Sequence, residues 1–139
     1  GYRHWESDIT PDDTPYEAVL GFAVKLDKGD FVGREALVKQ KAEGLKRKMI
    51  MFTLDDPEPL LFGDEPIYRD GVHVGELSSG AYGFKLGTAV GMGYLKNPDG
   101  VTNDWIKAGK YQLEVEGQMC DATFHLRSPY DPKNERTKM

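Results

Sequence analysis

Histidine, serine, cysteine and paired carboxylates are the side chains from which a catalyst or a metal site would be built, and their spacing here supports neither. His4, His73 and His125 lie far apart in unrelated contexts. No H-x-x-x-H or similar spacing joins them, so a structural or solvent-facing role is expected for each and no metal ligand is assigned. Ser78-Ser79-Gly80 lacks the G-x-S-x-G arrangement that exposes a nucleophile, and a serine pair in a hairpin ordinarily serves the turn. The glycines of "GAYGFKLGTAVGMG" (80–93) would cradle a phosphate only if they led into a helix N-terminus, and strand follows strand instead. Carboxylates gather in turns, at Asp12-Asp13, Asp55-Asp56, Asp64-Glu65 and Asp70, where a solvated loop is a simpler reading than an acid–base pair. Cys120 follows Met119 just past a hairpin turn, with no activating base nearby in sequence, and reads as a small buried hydrophobe. No catalytic residue is assigned.

The elements that would have to position any site divide into two textures. In "TPDDTPYEAVLG" (10–21), Thr14 suits an N-cap, Pro15 the first helical position and Glu17 the third, which is a capping box, and Gly21 suits the stop. "FAVKL" (22–26) alternates Phe22, Val24 and Leu26 and predicts a strand. "FVGREALVKQKAEG" (31–44) predicts a second helix with Val32, Ala36 and Leu37 on one side and Gly44 as its end. From residue 46 the chain turns to short β runs: "KRKMIMFTL" (46–54), a pair flanking Asp70-Gly71, "TAVGMGYL" (88–95), "YQLEVEG" (111–117) and "ATFHLRS" (122–128). Asp70-Gly71 is a two-residue hairpin signal, and Gly91 and Gly93 suggest close backbone approach. About six strands at this spacing suit a small antiparallel barrel or sandwich. The expected fold class is therefore α+β, with a helix-strand-helix lead-in over 1–45 and a small antiparallel β-barrel over 46–139.

Bulk properties narrow the function classes. The 139 residues are 39% apolar and 11% aromatic, ordinary for a globular domain, and no apolar run reaches the roughly 20 residues of a membrane-spanning helix. A net charge of −5 with Lys and Arg scattered gives no basic footprint for nucleic acid. A single cysteine excludes an intrachain disulfide and a cysteine-rich zinc site, and points to the cytoplasm or another reducing compartment such as the mitochondrial matrix.

Several segments in order resemble a known family. Gly1-Tyr2-Arg3 with Trp5, "TPYEA", "LGFAVKLDK" (20–28) and "DFVGREAL" (30–37) resemble the end of the folate-binding domain of the aminomethyltransferase (T-protein) family of the glycine cleavage system. The resemblance is closest to the tetrahydrofolate-binding halves of dimethylglycine and sarcosine dehydrogenases. "GELSSGAYGFKLGTAVGMGYL" (75–95) is similar to that family's C-terminal barrel. Val19 stands where the family usually carries glycine.

The resemblance implies a C-terminal piece, the tail of a folate domain plus a whole barrel, whose catalytic carboxylates lie upstream. It implies tetrahydrofolate as the one-carbon acceptor, FAD in an upstream domain if the parent is a flavoenzyme, and the folate-binding domain of the same parent as partner. A lipoyl carrier protein is implied if the parent is a true T-protein. Tyr2, Arg3, Arg127, Tyr130 and Arg136 are the positions where a lining of the folate cavity is expected, with packing of the domain tail as the competing reading for Tyr2, Arg3, His4 and Trp5. The alternatives are a non-catalytic β-barrel interaction module and a folate-family repair or RNA-modifying relative.

Overall fold

The computed structural model describes residues 1–138. Six strands, β1 (Arg47–Leu54), β2 (Pro66–Arg69), β3 (Val72–Gly83), β4 (Thr88–Lys96), β5 (Tyr111–Val115) and β6 (Gln118–His125), close into a barrel in the order β1-β4-β3-β2-β5-β6. Every pairing is antiparallel. Closure comes from β6 against β1, with Met51 opposite His125 and Phe52 opposite Phe124. A two-residue period then sends Ile50, Phe52 and Leu54 inward to meet Ile67, Leu77, Leu95 and Leu113, all buried. The Tyr111 ring contacts Phe52 at 5.4 Å and Phe124 at 5.6 Å between centroids.

Local chemistry sets the register. Asp70 and Gly71 both take positive φ (51° and 80°), the geometry of the tight hairpin that the sequence predicts. Gly93 sits at a close approach of β3 and β4. A Cβ there would run into the Glu76 carbonyl oxygen and lie 2.6 Å from Leu77 Cα, so the expectation of close backbone approach holds.

A short helix, α2 (Asn103–Ala108), is an addition to the elements read from sequence. Thr102 caps it by accepting the Trp105 N–H at 3.1 Å, and fully buried Ile106 joins the barrel core.

The lead-in departs from the helix-strand-helix expectation. The capping box forms, since the Thr14 N–H donates to Glu17 at 3.1 Å and the Glu17 N–H donates to Thr14 Oγ1 at 3.2 Å. No helix follows it. Val19 turns to φ 58°, and the Leu20 N–H reaches back to the Pro15 carbonyl at 2.7 Å, closing a single capped turn. "FAVKL" forms no strand: Gly21–Ala23 is one 3-10 turn, and Phe22 is 78% exposed. The physical reason is that a closed barrel offers no free edge for a lone strand to join. The second helix does form, as α1 (Arg34–Glu43), but none of its residues is buried.

Candidate functional site

The lead-in is moored to the outside of the barrel by one buried carboxylate. Asp8 is 2% exposed; its Oδ1 accepts the Ser78 and Ser79 hydroxyls at 2.6 and 2.7 Å, and its Oδ2 accepts the His4 N–H at 2.7 Å. Its carbonyl accepts the Tyr94 hydroxyl at 3.0 Å. The serine pair therefore serves neither a nucleophile nor a turn. It sits at a bulge in β3, between Leu77 and Ser79, and the irregularity turns both hydroxyls toward one acceptor.

A second contact lies alongside. Arg47 pairs with Asp13 at 2.6 Å and stacks over the Tyr94 ring at 3.8 Å. Burial pushes the Asp13 carboxyl up, yet the Thr10 N–H and the Arg47 charge outweigh it and hold its pKa below the usual value. The same burial pushes the Tyr94 hydroxyl well up. The Glu17 carbonyl then accepts the Met49 N–H at 2.8 Å, along the part of β1 that β6 does not reach. Beneath this docked segment, Met49, Met92 and Tyr94 form a second buried cluster, against which Ile9, Val19 and Met51 pack.

Docking the lead-in this way leaves a cleft of about 750 Å³ between it, the outer face of β1 and β6, and the C-terminal segment. Its floor is apolar, built from Ile9, Val19, Met49 and Met51. Tyr2, Phe22 and Tyr130 stand exposed at its rim. Three arginines enter it. The Arg3 Nε donates to the Ala18 carbonyl at 3.1 Å, and burial lowers its guanidinium pKa. Arg136 lies over the Tyr130 ring at 5.5 Å, and Arg127 lies two residues past the end of β6. None of the three is in an ion pair among the described residues. The two ends of the chain meet across the rim, where the Tyr2 hydroxyl donates to Asn134 Oδ1 at 3.1 Å.

All five residues expected as cavity lining, Tyr2, Arg3, Arg127, Tyr130 and Arg136, therefore face one cleft. Trp5 is exposed but is not among its walls. Phe22 and His125 were not foreseen there. Phe22 reads from sequence as one face of a strand, and only the failure of that strand frees it. His125 is the last residue of β6 and exchanges a 2.8 Å hydrogen bond with Thr53 Oγ1; burial lowers its pKa.

The other candidates stay structural. His4 Nδ1 bonds Ser7, and His73 packs edge-on against Tyr68. Burial, then Asp56 and Asp121, push the Cys120 thiol up, away from the thiolate form a nucleophile needs. Among the described residues no group of three or more His, Cys, Asp or Glu side chains could hold a metal, and no helix is long and apolar enough to cross a membrane.

Comparison with known proteins agrees with this architecture. The chain is 45% identical over 141 residues to mitochondrial sarcosine dehydrogenase of Homo sapiens, covering 99% of this chain and 15% of that protein. It is 40% identical to an aminomethyltransferase of Halothermothrix orenii, covering 89% of this chain and 34% of that one. Mitochondrial dimethylglycine dehydrogenase of Homo sapiens is 38% identical over 97 residues, covering 68% of this chain and 11% of its own length. The crystal structure of glycine cleavage system aminomethyltransferase T from Bartonella henselae superposes with a TM-score of 0.73 at 22% identity, over 89% of this chain and 34% of that one, which speaks to the fold. The chain thus spans 15% of the sarcosine dehydrogenase and about a third of the aminomethyltransferase. Residues 47–131 match the glycine cleavage T-protein C-terminal barrel domain, and the chain belongs to that family.

Proposed function

We propose that the cleft is the barrel-side wall of a tetrahydrofolate cavity in a larger one-carbon transfer enzyme. In that enzyme, residues 1–45 would be the tail of the folate-binding domain and 46–139 the C-terminal barrel. The reaction is transfer of a one-carbon unit already at the methylene level, produced by oxidation of a glycine-, sarcosine- or dimethylglycine-type amine before the transfer, to tetrahydrofolate, leaving methylene-tetrahydrofolate and releasing ammonia or the demethylated amine. The observation that carries this reading is the convergence of Tyr2, Arg3, Arg127, Tyr130 and Arg136 on one cleft. Exposed aromatic rings suit a flat heterocycle, and arginines that form no ion pair among the described residues suit the carboxylates of a glutamyl tail. A volume near 750 Å³ lies within the range of about 300–1,000 Å³ typical of small-molecule sites.

The exposure of the lead-in supports a parent domain on its far side. No residue of α1 is buried, and Val32 just before it stands fully in water. That arrangement favours the parent enzyme over an independent interaction module. Folate would be shared with the upstream domain of the same polypeptide, which would also hold the catalytic carboxylates. FAD would lie further upstream if the parent is a sarcosine- or dimethylglycine-type flavoenzyme, and a lipoyl carrier would be the partner of a stand-alone T-protein. The compartment would be a reducing one, the cytoplasm or the mitochondrial matrix.

With half of its cavity missing, the 139-residue chain itself should be inactive and bind folate poorly. Each lost buried hydrogen-bonding partner costs about 1–3 kcal/mol. Two or three of them take a micromolar ligand past about 1 mM. Calorimetric titration of the chain with 5-formyltetrahydrofolate tests this. A Kd tighter than about 10 μM would show a complete site within residues 1–139 and overturn the division.

A further inference from the structure

Val19 is the only β-branched residue with a positive φ (58°) among the described residues. The others outside glycine are Glu, Asp and Asn, and Asn and Asp tolerate that region through local hydrogen bonds. Valine has no such compensation and crowds its own backbone there. The conformation survives because the turn around it is fixed from both sides. The Val19 N–H donates to the Tyr16 carbonyl at 3.2 Å, Leu20 is tied to Pro15, and the flanking Ala18 is 2% exposed with its carbonyl held by Arg3. A glycine would meet the same backbone demand without strain. The isopropyl group is therefore an expense of the fold that the backbone does not require.

Its surroundings show what it contributes. Val19 packs on the Met49–Met92–Tyr94 cluster from one side and faces the cleft from the other, beside Ile9 and Met51. The adjoining Leu20 and Phe22 continue the same wall, and Arg3 grips the carbonyl immediately before it. We propose that Val19 is a positioning residue for the cleft's ligand, its isopropyl group forming the raised floor that sets how deep a flat ring can sink between the lead-in and β1. This rests on the assignment of the cleft to a reduced folate. With the group removed, the ring would drop away from Arg3 and from the aromatic rim, and part of the floor would fill with water. Strain at a ligand wall, held by the structure around it, is the expected form of such a device.

The test uses the full-length protein with 5-formyltetrahydrofolate as probe and compares wild type with Val19→Gly and Val19→Thr. Threonine keeps the branched shape, while glycine keeps only the backbone conformation. Loss of a small apolar group from a pocket is worth roughly ten-fold or more, so Val19→Gly should raise Kd about ten-fold. Its melting temperature should stay within about 2 °C of wild type, because relief of strain offsets lost packing. Val19→Thr should bind within about twofold of wild type, and in turnover Val19→Gly should lower kcat as well as raise KM, because a ring seated too deep is held out of line for the transfer. Binding by Val19→Gly within about twofold of wild type overturns the inference and leaves the folate assignment standing. A melting temperature that falls in step with affinity assigns Val19 to folding alone and also overturns it. Wild-type protein that does not bind the probe overturns both the inference and the folate assignment.

Discussion

Replacing Asp8 by alanine removes the acceptor of three donors at once: the Ser78 hydroxyl, the Ser79 hydroxyl and the His4 N–H. Ser78 retains the Met92 carbonyl at 3.0 Å, so two donors lose the partner the structure gives them. Hydrogen bonds to a charged group are worth about 1.5–3 kcal/mol each, which puts the loss for two donors near 3–6 kcal/mol. Barrel closure does not depend on these bonds, so the loss should fall on the lead-in. The Met49 N–H reports directly on docking, because it donates to the Glu17 carbonyl where β1 has no β6 neighbour. By hydrogen exchange of the chain, that amide should open about 10²–10⁴-fold more readily in Asp8→Ala, while the amides of Phe52 and Leu113 keep their wild-type protection. Asp8→Asn, with one acceptor oxygen retained, should give an intermediate effect. Unchanged Met49 exchange would refute the mooring, and simultaneous loss at Phe52 and Leu113 would show that lead-in and barrel unfold as one.

Two further predictions concern the barrel and the cleft. Gly93→Ala forces a Cβ against the Glu76 carbonyl and Leu77 Cα, backbone on backbone, and should cost about 3 kcal/mol or more by denaturant melt, where a tolerated variant would contradict the close β3–β4 approach. His125 has a folded pKa lowered by burial, so the unfolded chain binds more protons just below about pH 6.5. Its contribution to stability should be complete above that pH and decline as pH falls toward the lowered folded value. A His125→Gln chain should lose this slope, and an identical pH profile in the two chains would show that His125 is not the group responsible.

What could be read from the residues follows from where their partners lie. Strand alternation is local, so "KRKMIMFTL" and "YQLEVEG" read directly as strands, and Asp70-Gly71 marked a hairpin, whereas closure into a barrel depends on β6 meeting β1. The Thr14–Glu17 box is equally local, and its hydrogen bonds form as read, but whether a helix follows depends on Val19 and on the barrel surface that holds it. "FAVKL" has strand periodicity and no edge to pair with. α2 spans six residues, too short for a periodic signal. The five cleft residues were indicated through resemblance alone, because Tyr2 and Asn134 meet across 132 positions of sequence. Asp8 was missed for the same reason. Its burial depends on hydroxyls 70 residues away.

The central claim is that a reduced folate lies in the cleft between the lead-in and the C-terminal segment. A crystal structure of the full-length protein soaked with 5-formyltetrahydrofolate tests it most directly. The account predicts the pterin against the Val19–Met51 floor, with Arg3, Arg127 or Arg136 reaching the ligand's carboxylates. Folate bound clear of residues 1–22 and 125–136 would contradict it.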